Sequence, residues 1–301
     1  MAGQVDYLFY FLVGVSAFFA ILIFALIIYF AVKYRSRPGR EKAEATRTYL
    51  VLEVIWIAVP LGLTMIMFFW GAKLFFSIYR PPSNAMEIFV VGKQWMWKFQ
   101  HPTGQLEIDE LHIPVGRPVK LTMISEDVIH DLFVPAFRIK RDVLPDRYTT
   151  VWFQATQPGR YRLFCAQYCG TEHSLMTGWV DVMKPADFQN WLSANTTVAT
   201  LEEAGASRFQ QLGCLTCHGD TSTGRGPSLV GLYGSRVRLT DGRVVAADDS
   251  YIRESILDPE AKIVAGYPPI MPTFKGQVNN QQMLQLIAYI KSLSPEQKDK
   301  K

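Results

Sequence analysis

One short segment of this 301-residue chain carries four soft metal ligands: Cys165-Ala-Gln-Tyr-Cys169-Gly-Thr-Glu-His173-Ser-Leu-Met176. The two thiolates are four residues apart, so both can reach the same pair of metal ions and bridge them. His173 and Met176 follow at spacings that let the backbone deliver each side chain to a different ion. Thiolate, imidazole and thioether together favour copper over hard cations.

The second thiolate indicates a binuclear centre, because a mononuclear copper site of this type needs only one cysteine. A binuclear centre should have a second imidazole upstream, and His130 in Ser125-Glu-Asp-Val-Ile-His130 is the candidate. A structural zinc site is the alternative, since zinc also binds Cys and His. Zinc does not account for Met176, whose thioether is a soft ligand.

A second cysteine cluster, Cys214-Leu-Thr-Cys217-His218, has the spacing of a c-type haem attachment site. Two thiols one short turn apart can add to the two vinyl groups, and the next imidazole can become the proximal iron ligand. The same motif could belong to a thioredoxin-like or zinc site. The two clusters hold all four cysteines, so no thiol is left for a disulfide framework.

The residues after this motif resemble class I cytochromes c. Gly226-Pro-Ser-Leu-Val-Gly231 is similar to the loop in which a proline carbonyl orients the haem imidazole, which makes Pro227 a partner for His218. His/Met ligation predicts a distal methionine in a Pro-rich loop, and Met271 in Pro268-Pro-Ile-Met271-Pro fits. Met283 is the rival, but it lies in a helical pattern and is expected to pack in the core.

Two apolar runs precede these motifs, from Tyr7 to Val32 and from about Tyr49 to Ile78. Each is long enough to cross a bilayer, which needs about 20 residues. A signal peptide is the alternative for the first run, but no Lys or Arg precedes it. The basic residues between Lys33 and Arg47 predict a cytoplasmic loop, so both termini and both cysteine clusters should lie on the outer face.

The middle of the chain predicts a Greek-key β-sandwich of about a hundred residues. Its β-rich runs are separated by turn signals at Pro114-Val-Gly116 and Gln157-Pro-Gly159. The predicted strands cover 87–91, 106–108, 119–123, 148–153, 161–164 and 179–182. A rigid β scaffold suits electron transfer, because it limits reorganisation when an oxidation state changes. His101 and His112 lie outside any motif and are expected to be surface or strand residues.

Over roughly residues 7–185 these motifs resemble the dicopper (CuA) subunit II of haem-copper cytochrome oxidases. The resemblance rests on the two clusters around His130 and Cys165, on Leu-Glu53-Val-Ile-Trp56 and on Gly92-Lys-Gln-Trp95-Met-Trp97. It implies that Cys165 and Cys169 bridge two coppers, that His130 and His173 each bind one, and that Met176 and the Gln167 carbonyl are weak axial ligands.

The same resemblance assigns roles outside the copper loop. Trp95 matches an aromatic electron relay, although it could simply pack at the edge of the sandwich. Glu53 matches the acidic residue at the mouth of a proton pathway, although it could be an interfacial glutamate. Gln167 stands where many relatives have a glutamate that reaches magnesium, so magnesium binding is not expected. Asp127 and Glu126 could help donor docking or be solvated surface.

We therefore expect a multidomain membrane protein: a transmembrane hairpin over 1–80, a cupredoxin-like dicopper domain over 81–185, a linker over 186–204 and an all-α class I cytochrome c domain over 205–301. The resemblance implies a cytochrome c oxidase subunit II fused to a covalent haem c, in a bacterial plasma membrane. It would pass electrons from an external donor to the catalytic subunit I, which reduces dioxygen to water with proton translocation. The apolar runs contain no histidine, so the oxygen site must lie in that partner.

Two other functions stay open at this level. The chain could serve a nitric oxide reductase through a dicopper subunit, or it could be a stand-alone anchored electron carrier. Glu53 argues weakly against the carrier, which has no need of a proton-active group in a span. The net charge of +4 is modest, and the run of six Lys and Arg between Lys33 and Arg47, out of 31 in the chain, indicates topology and not a nucleic-acid-binding footprint.

Overall fold

The computed structural model describes residues 1–35, 49–194, 200–219 and 225–294. Most of the basic loop predicted to be cytoplasmic, including Arg40 and Arg47, lies outside these residues. The chain forms two compact units, Met1–Arg80 and Pro81–Lys301.

The first unit consists of two long helices, α1 (Ala2–Lys33) and α2 (Leu50–Tyr79). Both are long and apolar enough to cross a membrane. Neither helix has a buried residue, and their large apolar side chains face outward. The Phe11 and Trp70 rings meet at 5.5 Å between the two helices. A helix that is apolar on every face suits lipid better than water.

The second unit begins with two five-stranded sheets in a sandwich. Its strands are β1 (Met86–Lys93), β2 (Met96–Gln100), β3 (Leu106–Ile108), β4 (Glu110–Pro114), β5 (Pro118–Ser125), β6 (His130–Val134), β7 (Ile139–Val143), β8 (Thr149–Gln154), β9 (Gly159–Cys165) and β10 (Thr177–Met183). One sheet has the order β3-β2-β1-β5-β8 and the other β4-β10-β9-β6-β7. Pairs β1–β5 and β4–β10 are parallel and the other pairs are antiparallel.

The core between the sheets is filled by large side chains that alternate along the strands, such as Trp97, Phe99, Leu111 and Phe153, each at most 1% exposed. This period-2 burial is what a two-layer sandwich requires. A short helix follows, α3 (Pro185–Ala194), whose Phe188 joins the same core. The prediction of a β-sandwich is confirmed.

The last part of the unit is mainly helical and contains α4 (Leu201–Gln211), α5 (Asp249–Leu257) and α6 (Asn280–Ser292). It also contains a small hairpin, β11 (Arg236–Arg238) with β12 (Val244–Ala246), so the fold is not purely helical. Helices α4 and α6 both start with a capping box, at Thr200 and Asn279. The residues predicted as linker hold α3, and α4 begins at Leu201, four residues before the predicted domain start at Gly205.

Helices α4 and α6 cross at Gly205, where a Cβ would lie 2.0 Å from the backbone oxygen of Gln285. Glycine is therefore required for this close approach. The Phe209 and Tyr289 rings meet at 5.2 Å beside the crossing. The predicted three-part fold class is confirmed.

Candidate metal and haem sites

The copper-ligand candidates come from two adjacent strands and the loop that follows them. His130 opens β6, and Cys165 closes β9, which pairs with β6 in the register Leu132↔Cys165. The chain then turns through Cys169 and a short 3-10 segment, His173–Leu175, and Met176 directly precedes β10. The sheet thus fixes both ends of the loop.

The structure brings all six predicted donor positions together. Around Cys165, the sulfur lies 3.8 Å from Cys169 Sγ, 3.9 Å from His130 Nδ1 and 3.2 Å from the Gln167 carbonyl oxygen. Around Cys169, the sulfur lies 3.4 Å from His173 Nδ1 and 3.7 Å from Met176 Sδ. Each sulfur therefore has its own imidazole and its own weak donor, and the two sulfurs face each other.

This donor set fits a pair of soft metal ions and is shielded from water. His130 and Met176 are fully buried, and Cys165 and Cys169 are nearly so. Burial works to raise the pKa of the Cys165 thiol, but its hydrogen bonds, first with His130, lower that pKa to about 7. Burial and the neighbouring Cys165 raise the pKa of Cys169 to about 12. A metal that takes both thiolates must therefore displace one tightly held proton.

A second layer of residues holds the ligands in place. Asp127 Oδ1 lies 2.8 Å from His130 Nε2, on the side of the ring away from Cys165. Asp127 Oδ2 accepts the backbone N–H of Gln94 at 2.8 Å, and the Gln94 side chain donates to the Cys169 carbonyl at 2.7 Å. The sequence predicts Asp127 only as a docking or solvated surface residue. A carboxylate three residues before a ligand histidine was the signal that could have identified it.

Trp95 packs beside the copper loop. A Cβ on Gly170 would lie 3.2 Å from Trp95 Cζ2, so the indole lies directly against the backbone after Cys169. Trp95 is half-buried, and its Nε1 has no hydrogen-bond partner among the described residues. The predicted relay residue therefore touches the loop of the candidate metal centre.

The helical fold contains a cavity of about 460 Å³ with a largely apolar wall. Cys214, Cys217, His218, Pro227 and Met271 all line it, so every predicted haem residue faces one space. Four cationic residues complete the lining, and they suit a group that carries carboxylates: Arg225, Arg236, Arg238 and Lys262. An apolar cavity with two thiols, an imidazole and a thioether fits a covalently attached haem.

His218 is held in a defined orientation within this cavity. Its Nδ1 lies 2.9 Å from the Pro227 carbonyl oxygen, which leaves Nε2 for a ligand. A Cβ on Gly226 would lie 2.8 Å from His218 Cε1, so the loop can approach the imidazole only with glycine there. Met283 is 1% exposed and packs in the core of the fold, whereas Met271 lines the cavity.

The histidines outside the motifs form a separate cluster. His101 is 1% exposed and directly follows β2, so the expected surface or strand position is wrong for it, whereas His112 lies in strand β4 as expected. It lies 2.8 Å from Glu107, which also contacts His112, and both rings pack on Trp191. Glu110 and Asp181 lie near His112, but both pair with the guanidinium of Arg160. Because that cation already neutralises the carboxylates, we assign this cluster to structure.

Comparison with known proteins agrees with these two folds. The family described as cytochrome c oxidase subunit II, periplasmic domain, matches residues 102–183, and the cytochrome c family matches residues 202–294. This chain is a relative of cytochrome c oxidase subunit II that carries a cytochrome c domain. The resemblance stated from the motifs is confirmed.

Individual relatives with this name match different shares of the chain. The cytochrome c oxidase subunit 2 of Alkalihalophilus pseudofirmus is 27% identical over 294 residues, which cover 93% of this chain and 84% of that protein. The subunit 2 of Synechocystis sp. is 38% identical over 117 residues, 39% of this chain and 35% of that protein. A crystal structure of the periplasmic domain of subunit II from Bradyrhizobium japonicum is 26% identical, covers 38% of this chain and 96% of its own, and has a TM-score of 0.37.

The subunit II relative is thus a membrane-anchored electron-transfer protein with periplasmic domains. The periplasmic domain of subunit II implies copper, and the cytochrome c domain implies haem. The donors described above are where each would bind.

Proposed function

We propose that this chain is the electron-entry subunit of a cytochrome c oxidase. Its covalent haem c and dicopper centre would carry electrons from an external donor to a haem-copper subunit I that reduces dioxygen to water with proton translocation. The observation that carries this proposal is the convergence of two thiolates, two imidazoles and a thioether at one end of the sandwich, in a chain that also has a haem-type cavity.

The residues have distinct roles in this proposal. Cys165 and Cys169 would hold the dicopper centre between them, because each sulfur has one imidazole beside it and the other sulfur 3.8 Å away. His130 and His173 would each supply an imidazole to one copper, and Met176 and the Gln167 carbonyl would supply weaker donors. The strands β6 and β9 hold His130 and Cys165 in fixed register, which favours small structural change on reduction.

The residues that would hold the haem are Cys214 and Cys217, whose thiols would attach it, and His218 and Met271, which would supply its two protein ligands. Pro227 supports this assignment, because its carbonyl is hydrogen-bonded to the imidazole at 2.9 Å. His/Met ligation favours a high reduction potential, which suits a centre that receives electrons and passes them on.

An exposed apolar surface surrounds the copper loop and supports a partner there. Tyr168 and Leu175 are 74% and 70% exposed, and Ile129 on the neighbouring loop is 45% exposed. Clustered exposed apolar side chains mark protein contact sites. We assign this surface to the catalytic subunit, with Trp95 as electron relay and Glu53 in α2 as proton-entry residue. The basic loop between the helices then faces the cytoplasm, and both termini face outward.

The test is metal and haem analysis of the purified full-length chain, with optical and EPR spectra. We expect two coppers and one covalently bound low-spin haem per chain, with one unpaired electron shared by both coppers in the oxidised state. Zinc, or a single mononuclear copper, would contradict the proposal. Oxygen uptake without nitric oxide consumption by the co-purified complex then separates an oxidase from a nitric oxide reductase.

A further inference from the structure

Strand β1 is buried on both faces. Its residues Met86, Ile88 and Val90 point into the sandwich core, whereas Phe89 and Val91 point outward and are still only 4% and 5% exposed. The parallel neighbour β5 continues this outer face, with Val91 beside Ile124 and Glu87 beside Lys120. A strand covered on both faces requires a second layer on its outer side.

That layer is the haem-binding fold, and helix α6 supplies most of it. Leu284 and Ala288 pack against Phe89, Val91 and Ile124, together with Leu201 of α4. The opposite side of α6 carries Leu286 and Ile290, which line the haem cavity. The helix therefore presents one face to the cavity and the other to the sandwich.

A buried charge cluster closes this contact. Lys291, one turn beyond Ala288, has a side chain only 6% exposed. Its Nζ lies 3.2 Å from Glu87 Oε2 of β1 and 2.8 Å from Asp249 Oδ1 of α5. It also lies 5.3 Å from the centre of the Phe89 ring and 4.7 Å from that of Tyr233.

The other side of Glu87 is also occupied. Its Oε1 accepts hydrogen bonds from Lys120 at 2.8 Å and Thr122 at 2.6 Å. Burial works to raise the pKa of Glu87, but Lys291 and Lys120 outweigh it and hold that pKa at about 2. Lys291 is thus the cation that links an acid of each fold, and only 6% of its side chain is exposed.

We propose that Lys291 is a positioning residue that seats the haem-binding fold on β1 and so couples the haem cavity to the copper loop. This inference rests on the proposed function. The outer face of β1 is the docking surface, and its partner is the chain's own α6. The two redox folds then work as one preassembled body, and electron transfer between them needs no encounter step.

Strand β1 leads directly from this contact to a candidate copper ligand. Gly92 follows Val91, and a Cβ on Gly92 would lie 3.1 Å from the His130 ring. The path from the cavity therefore crosses α6 and enters β1 at Phe89 and Val91. It reaches the His130 ring at Gly92, the next residue of the strand. On α6 the points of contact with this path are Leu284, Ala288 and Lys291.

The test uses the full-length chain in detergent with both centres loaded. The variants are Lys291→Met, Lys291→Arg and, as a matched control, Arg243→Gln, which removes an exposed ion pair of the same fold. Hydroxyl-radical footprinting reports exposure of Phe89 and Leu284, with Val90 and Ile287 as internal controls inside each fold. Photoreduction of the haem then gives the rate at which the copper signal changes.

Removing one partner of a buried ion cluster leaves an uncompensated charge. We expect Lys291→Met to raise labelling of Phe89 and Leu284 by roughly tenfold or more. The intramolecular transfer rate should fall by a similar factor, whereas Val90 and Ile287 stay protected. In Lys291→Arg, the labelling of Phe89 and Leu284 and the transfer rate should both stay within about twofold of the wild type, because a guanidinium can still bridge two carboxylates. Arg243→Gln should change neither.

Unchanged labelling and an unchanged rate in Lys291→Met would overturn the inference, as would a slower rate without any added labelling. If Lys291→Met does not fold, Glu87→Gln removes the partner from the sandwich side and should give the same pair of changes. Failure of the proposed function looks different, because the wild-type chain would then lack the two coppers or the haem.

Discussion

His130 Nε2 lies 2.8 Å from Asp127 Oδ1, while His130 Nδ1 faces the sulfur of Cys165 at 3.9 Å. The carboxylate thus fixes which ring nitrogen carries the proton and which one is free to bind a metal. This arrangement ties a residue of the β5–β6 loop to the ligand set, and Asp127 is also hydrogen-bonded to Ser125 at the end of β5.

Asp127→Asn should weaken copper binding, because the amide keeps the shape of the carboxylate but loses its charge. Loss of such a partner typically costs 10–100-fold in metal affinity. Competition with a copper chelator measures this directly. Glu126→Gln is the matched control, since Glu126 pairs with Lys93 and Lys98 rather than with a ligand, and equal affinities for the two variants would contradict the role of Asp127.

Met271→Ala should convert the low-spin haem to a high-spin or differently ligated form, because Met271 is the thioether that lines the cavity. Met283→Leu should leave the spectrum unchanged and cost less than about 1.5 kcal/mol of stability, as a volume-conserving core substitution does. Optical and EPR spectra distinguish the two. A spectral change in Met283→Leu alone would reverse the ligand assignment.

Gly205→Ala should destabilise the haem-binding fold by about 1–3 kcal/mol, because the new Cβ would meet the backbone of Gln285. A backbone atom cannot move aside as a flexible side chain can. Thermal unfolding followed at the haem absorbance gives the change in free energy. Ser207→Ala, at an exposed position of the same helix, should stay within about 0.5 kcal/mol of the wild type.

The hydrogen bond that the His112 ring donates to the Glu107 carboxylate raises the pKa of His112, against the effect of burial, with smaller contributions from Asp181 and Glu110. A raised pKa in the folded state means that protonated His112 stabilises the fold. The full contribution is present below the unfolded pKa of about 6.5 and is lost as pH rises through the folded pKa. Unfolding of the sandwich at several pH values should show this loss. In His112→Gln the same pH range should show a flatter profile.

Glu53→Gln should slow turnover of the assembled oxidase while both redox centres keep their spectra. Glu53 lies in the first turn of α2, far in sequence from either ligand set, so a change in copper or haem spectra is not expected. Oxygen uptake with a reduced donor, compared with the spectra of the same sample, provides the measurement. Wild-type turnover in this variant would show that Glu53 is not a proton-entry residue.

The ligand positions could be predicted from sequence because metal and haem motifs specify residue type and spacing together. The sandwich could be predicted in outline, but β2, β4, β6 and β7 were missed. In β7, Lys140 and Asp142 lie on the exposed side between buried Ile139 and Val143, so the short polar-apolar pattern looked like a loop. The strand forms because β6 pairs with it, a contact that local sequence does not reveal.

The docking of the two redox folds could not be predicted at all. The run Ile88-Phe-Val-Val91 shows no alternation, and such a run can be a buried strand of many kinds. Only the three-dimensional arrangement shows that its odd-numbered positions lie beneath α6. In the same way, Lys291 reads in sequence as one more cation near a helix C-terminus.

The burial of β1 on both faces has a practical consequence for the separate production of the two domains. A copper domain produced without its cytochrome would expose Phe89, Val91 and Ile124 to solvent as an apolar sheet surface. The separated cytochrome would expose the complementary apolar face of α6. Such fragments invite aggregation. Recombinant work should therefore keep the whole periplasmic portion intact or replace those three side chains by polar ones.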